Sequence, residues 1–247
     1  MKSKSYQRRF YQDNLKAKNL HLLRYQLKET DLYILCDKKL EEKFIARQVY
    51  ILRSGIESYI RKDPRFEYAL KPLTVELRAA KVVRLMSCAG NLANVGPMAA
   101  SAGAIAELLG KTLLKKGCKE VIIENGGDIF LKITSPRKVA LYSGRGKLAN
   151  QLALLIRPQD TPLGICTSSA TIGHSLSFGR ADSVTVLAKS AAVADALATA
   201  TCNRVNALKE MESALNFCCS HKGVSGCLIV MKNKLAALGK IEFSRRR

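Results

Sequence analysis

The sequence predicts an α+β fold, a single domain with a mixed or antiparallel sheet flanked by helices. Three observations lead there. The chain has 247 residues, 47% hydrophobic and 25% charged, which suffices for a substantial core. Short strand-like runs are interleaved with amphipathic stretches of 3.6-residue period. No internal repeat or low-complexity segment divides the chain, so it reads as one domain over 1–247, with a basic arm at 1–16 and a motif-bearing core at 86–203.

The arm is polar and basic, with Tyr6, Phe10 and Tyr11 as anchors. Leu20, Leu22, Tyr25 and Leu27, then Leu32 and Ile34, predict a hairpin around the polar turn 28–31. Leu40, Phe44, Ile45, Val49, Ile51, Leu52 and Ile56 predict an amphipathic helix over 39–61, stopped by Asp63-Pro64. A second helix is expected within 71–86, carrying Leu73, Val75, Leu77, Val82, Val83 and Leu85. At Gly96-Pro97 a loop turns into a helix rich in Ala, Ser and Gly, because proline at the first helical position forfeits no hydrogen bond. Strands follow at 120–123, 129–134, 139–142 and 152–156, the first two joined by the hairpin signal Asn125-Gly126. A strand over 182–188 leads into a helix N-capped by Ser190 and running to Cys202. The end reads as an amphipathic helix over 207–218 and two strands, 227–231 and 235–243.

Composition narrows the function classes. The formal charge of +21 suits phosphate contacts. It is spread evenly, however: 20 of the 41 basic and 10 of the 20 acidic residues fall in 1–85. Aromatic residues make up only 6%, and Arg245–Arg247 is the only basic run, so the pattern speaks against nucleic acid and more for a small phosphorylated ligand. No apolar run approaches 18 residues, and the charged start has no apolar segment behind it, so a cytoplasmic protein without a membrane segment is expected. The eight cysteines show no Cys-x-x-Cys spacing, which argues for reduced, half-buried thiols rather than zinc or a cluster. Vicinal Cys218-Cys219 reads either as a redox pair or as ordinary helix neighbours.

Four segments carry chemistry. Asp195 and Thr199 lie one helical turn apart and offer a carboxylate and a hydroxyl to a hard cation. Equally, Thr199 could bond back to a carbonyl and Asp195 serve the helix dipole. Gly96, Pro97 and Met98 open a helix whose free amides suit a phosphate, or pack tightly without one. Asn125, Gly126, Gly127 and Asp128 form a turn, or bring amides and a carboxylate to a ligand. Thr167, Ser168, Ser169 and Thr171, followed by His174, make the densest cluster of neutral donors; a Ser-His-Asp triad there has no Gly-x-Ser-x-Gly elbow behind it. His21 and His221 read as structural.

Taken in order, Gly96-Pro-Met-Ala-Ala-Ser-Ala-Gly103, Glu124-Asn-Gly-Gly-Asp-Ile129, and Asp182-Ser-Val-Thr-Val with Ala194-Asp-Ala-Leu-Ala-Thr-Ala200 resemble the ApbE-like superfamily of FAD:protein FMN transferases. The match is strongest over 94–203 and closest to a small cytoplasmic branch marked by Cys-Thr-Ser-Ser and Gly-His-Ser-Leu-Ser-Phe-Gly. The resemblance implies that Asp195 and Thr199 hold Mg2+, that 125–128 line a flavin-nucleotide cleft, and that His174 lies near the reacting phosphate. The implied chemistry is attack by a hydroxyl of an acceptor flavoprotein on FAD, attaching FMN and releasing AMP. Two features depart from the transferases: the family lysine is absent from 96–101, and no Asp-Pro or Thr-Gly pattern follows His174. The expectation is therefore a magnesium-dependent FAD- or FMN-binding protein with a transferase role open to it. The alternatives are a non-catalytic flavin carrier and, third, a polynucleotide binder. The small-residue helix near Ser101 offers a contact for a homodimer.

Overall fold

The structure, a computed structural model, describes residues 19–141, 152–169 and 179–245. Its first hairpin joins β1 (His21–Leu27) to β2 (Thr30–Cys36) with Leu27 opposite Thr30. The turn is thus only Lys28-Glu29, with Lys28 at φ 53, two residues shorter than expected. Helix α1 (Glu42–Lys62) buries Ile45, Val49 and Ile56 and stops at Asp63. The short α2 (Arg65–Tyr68) follows.

The helix expected within 71–86 begins only at Lys81, as α3 (Lys81–Ala93), and Leu77 before it is 89% exposed. Leu73, Val75 and Leu77 alternate with period two behind Pro72, whereas Val82, Val83, Met86, Ala89, Gly90 and Ala93 have helical spacing and are buried. Asn94 ends α3 in the left-handed conformation, φ 56. A 3-10 turn, Pro97–Ala100, then leads into α4 (Ser101–Lys115).

Strands β3 (Val121–Asn125) and β4 (Asp128–Lys132) form a tight hairpin. Its two turn residues are Gly126 and Gly127, at φ 69 and 106. This moves the turn by one residue from Asn125-Gly126, and Asn125 and Asp128 face each other as the last strand pair. The next strands are β5 (Arg137–Ala140), β6 (Leu152–Ile156), β7 (Leu163–Ser168) and β8 (Ser183–Ala188). Helix α5 (Ala191–Cys202) lies where the sequence put it. The helix expected over 207–218 is divided into a 3-10 turn, Leu208–Glu210, and α6 (Met211–Cys219). Strands β9 (Val224–Met231), β10 (Lys234–Gly239) and β11 (Phe243–Arg245) close the chain. The expected strand over 235–243 breaks at Gly239, φ 92, where the chain leaves β9 and crosses to β6.

Every strand pairing among the described residues is antiparallel. Eight strands run in the order β1-β2-β3-β4-β7-β8-β9-β10, and a second sheet in the order β11-β6-β5. Alternate residues of the large sheet serve two cores, as a period of two demands. Ile123, Phe130, Cys166 and Val186 pack under the helices, while Ile122, Leu131, Ile165 and Leu187 pack against the small sheet. Three layers result: helices, large sheet, small sheet. No single helix among the described residues is long and apolar enough to cross a membrane.

Candidate functional site

Helix α5 is fixed from three sides. Ser190 caps it, its Oγ accepting from Val193 N at 3.4 Å. A second cap comes from α4: the carboxylate of Glu107, 1% exposed, accepts from Ser190 Oγ at 2.6 Å and from Ala192 N at 3.2 Å. Negative charge at a helix N-terminus is favoured by the macrodipole, and Lys111 Nζ balances the other Glu107 oxygen at 2.5 Å. The first turn of α5 is also pressed between α4 and β7. A Cβ on Gly103 would lie 2.4 Å from Ala191 O, and one on Gly164 2.3 Å from Ala191 Cα. Cys166 Sγ donates to Ala191 O at 3.2 Å.

This clamp sets Asp195 against the N-terminal turn of α4, where its Oδ2 accepts from Gly103 N at 2.9 Å. Asp128, at the start of β4, accepts from Thr167 N at 3.2 Å. Both acids are buried. Burial pushes the Asp195 carboxyl well above the usual range, the Asp128 charge pushes it further, and the Gly103 and Ala102 amides only partly oppose this. The Cys166 thiol is pushed up by burial first, then by Asp128 and Asp195. Asn125 Nδ2 donates to Ala102 O at 3.1 Å, tying the end of β3 to α4. Gly127 N donates to Glu124 Oε1 at 2.7 Å, holding the hairpin turn.

Of the residues singled out in the sequence, Asn125, Asp128 and Asp195 come together on the helix-facing side of the large sheet beside the start of α4, with Ser168 on the same sheet face and Thr199 one turn along α5 from Asp195. Ser168 lies two residues beyond Cys166 on the same face; its Oγ is buried and has no hydrogen-bond partner among the described residues. Thr199, 6% exposed, makes no side-chain hydrogen bond among the described residues, unlike Thr112, whose hydroxyl bonds back to Leu108 O. Gly126 is exposed and Gly127 partly so at the hairpin turn, and the partly buried Met98 sits on the 3-10 turn that packs on α5.

Others are placed elsewhere. Gly96 is packed by protein backbone, since a Cβ there would meet Ala69 O at 1.6 Å, and Pro97 beside it is buried. Thr167 points its hydroxyl to the far face of the sheet, 2.9 Å from Thr185 Oγ1, and only its amide reaches the site. Ser169 Oγ donates to Asp182 O at 2.7 Å. His174 and Thr171 lie outside the described residues. The small residues of α4 from 103 to 110 are packed inside the chain, while Ser101 and Ala102 at its start are partly exposed. Most of the cysteines are fully buried rather than half-buried. Glu107 and Cys166 were not singled out for the site from the sequence, because their partners are distant in the chain and carry no local spacing signal.

An eight-stranded antiparallel sheet covered by helices on one face and a three-stranded sheet on the other, with an acid pair at one end, defines a protein of the ApbE-like fold class. The flavin transferase ApbE of Vibrio cholerae superposes with a TM-score of 0.61 at 15% identity, covering 89% of this chain and 96% of that one. The apo flavinyl transferase ApbE of Pseudomonas stutzeri gives 0.59 at 13%, covering 89% and 94%. Sequence relatives define the family more narrowly. A UPF0280 protein of Methanocaldococcus jannaschii is 43% identical over 220 residues, covering 87% of this chain and 89% of the relative. One from Methanococcus maripaludis is 40% identical over 219 residues, covering 87% and 89%. The family model described as AbpE bacteria matches residues 12–216, and the chain belongs to that family.

Proposed function

We propose that this chain binds a flavin nucleotide, FAD or FMN, together with Mg2+, and that it transfers FMN from FAD to a hydroxyl of an acceptor protein. The observation that carries this reading is the buried pair Asp128 and Asp195, whose mutual repulsion a divalent cation would relieve. The donors suit a hard ion: the Asp195 carboxylate, already oriented by Gly103 N, and the Thr199 hydroxyl one turn along the helix. Mg2+ bound there would neutralise pyrophosphate charge. The Ser168 hydroxyl, which has no hydrogen-bond partner among the described residues, would be free for a ligand oxygen. In the transfer, the acceptor oxygen bonds to the FMN phosphorus, the pyrophosphate P–O bond breaks, AMP departs, and the acceptor proton passes to His174.

The missing family lysine favours a second reading, in which the same cleft carries flavin without transferring it. A thermal-shift titration of metal-free protein with FAD, FMN, AMP and ADP, each with and without Mg2+, tests binding. A ligand at 100 times its dissociation constant adds about 2.7 kcal/mol. Asp195→Ala is expected to remove the Mg2+-dependent part of the FAD shift while the unliganded variant remains folded. Release of AMP from FAD with a hydroxyl acceptor, lost in His174→Gln, separates transferase from carrier. Flat melting curves with every nucleotide would rule out both readings.

A further inference from the structure

At the opposite end of β3 from Asn125, the fold assembles a second set of ligating atoms. Cys36 ends β2, opposite Val121 of β3, and Cys118 lies in the loop entering β3. Asp37 follows Cys36. The two sulfurs and a carboxylate oxygen of Asp37 all lie within 4.8 Å of one another. We propose that Cys36, Asp37 and Cys118 bind a thiophilic divalent metal ion, Zn2+ being the type ion, with a fourth coordination position open to solvent.

The geometry fits. Zn–S bonds of about 2.3 Å and Zn–O bonds of about 2.1 Å at tetrahedral angles separate sulfur from oxygen by about 3.6 Å and the two sulfurs by about 3.8 Å. Cys36 Sγ and Asp37 Oδ1 are 3.5 Å apart. All three ligands sit on backbone that is already held: Asp37 N donates to Glu120 O at 3.2 Å and Cys118 N to Leu113 O at 3.1 Å. Lys119 N reaches both Asp37 oxygens at 3.1 Å, and Glu120 N reaches Oδ1 at 3.2 Å. These amides orient the carboxylate, as outer-shell partners do; Oδ1 takes both of them and the Cys36 thiol, while Oδ2 accepts only from Lys119 N and keeps a lone pair for a metal. Both cysteines are buried while Asp37 is partly exposed, which gives the ion an entry path. Two thiolates, a carboxylate and a divalent ion carry net −1, a charge complemented by the exposed Lys38 and Lys119 on either side. Thiolate ligands select Zn2+ over Mg2+, so this site is chemically distinct from the oxygen donors around Asp195. The absence of Cys-x-x-Cys spacing argues against zinc only when ligands are close in sequence; here strand pairing brings them together.

The test is Zn2+ and Co2+ titration of the full chain, stripped of metal and kept reduced. One equivalent of Co2+ should bind with thiolate-to-cobalt charge-transfer absorption and be displaced by Zn2+. Cys118→Ala and Asp37→Asn should each lose or sharply weaken that binding. Asp195→Ala should keep it, as should the double variant Cys218→Ala with Cys227→Ala, which removes the other pair of neighbouring thiols, between α6 and β9. X-ray absorption at the zinc edge of the unsubstituted protein reads the site without any variant, and two sulfur scatterers per zinc with oxygen completing the shell are expected. No thiolate-to-cobalt band, binding retained in a folded Cys118→Ala variant, or a sulfur count other than two would overturn the proposal.

Discussion

Gly103 has two tasks at the residue scale. Its amide bonds Asp195 Oδ2, and its missing side chain admits the backbone of Ala191. A Cβ at that position would stand 2.4 Å from Ala191 O, 2.8 Å from Ala191 C and 2.9 Å from Asp195 Cβ. Two of these atoms are backbone, so no rotamer change relieves the contact and α4 must move away from α5. Gly103→Ala is therefore expected to destabilise the chain by about 1–3 kcal/mol, as overpacking typically does. It should also weaken any ligand that depends on Asp195. Chemical denaturation measures the first effect and the Mg2+-dependent FAD shift the second. A variant of unchanged stability would show that the α4–α5 crossing yields without cost.

At the element scale, α5 shows how far the sequence can be read. Ser190 before an Ala-rich run marks the helix start, because a cap and its helix are neighbours in the chain; the spacing of Asp195 and Thr199 is legible for the same reason. Glu107 is not, since its partners Ser190 and Ala192 lie far along the chain and only the α4–α5 crossing brings them together. The hairpin at 126–127 falls between these cases: its glycines are visible, but which two residues turn depends on the pairing of Asn125 with Asp128. Thr167 is the converse, lying in a hydroxyl cluster whose alternating faces appear only once β7 is known to be a strand. The two caps differ in expected weight. Ser190→Ala should cost about 1 kcal/mol. Glu107→Ala should cost roughly 2–4 kcal/mol, because it leaves Ala192 N and Ser190 Oγ without their buried acceptor. The two losses should not add, since Ser190 Oγ and Glu107 share one network. A double-mutant cycle measured by urea unfolding reads that coupling, and strict additivity would show the caps to be independent.

At the scale of the whole molecule, the three layers meet through few polar contacts, and Glu120 makes one of the most buried. It precedes β3 in the large sheet, and Arg137 begins β5 in the small one. Arg137 Nε donates to Glu120 Oε1 at 2.6 Å and Thr134 Oγ1 to Oε2 at 2.7 Å, with both charged side chains largely out of water, at 17% and 4% exposure. Burial pushes the Glu120 carboxyl up, but Arg137 and Thr134 together outweigh it and hold the group below its ordinary value of 4.5. A carboxyl with a lower pKa in the folded than in the unfolded chain adds stability that is present above the unfolded value and lost as pH falls through the folded one. Glu120→Gln keeps the shape and removes the charge, leaving the Arg137 guanidinium without its anion. At pH 7 the substitution should cost about 1–3 kcal/mol, the range for a hydrogen bond to a charged group or for leaving a buried partner unsatisfied. The difference between the original chain and the variant should then shrink as the pH drops below about 4.5, where the unfolded chain begins to take up the proton, and vanish below the lower folded value, where the folded chain loses the same charge. Urea unfolding of both proteins at pH 7 and below pH 4 measures this directly. A cost that stays constant across the interval would place the role of Glu120 in its packing rather than in its charge.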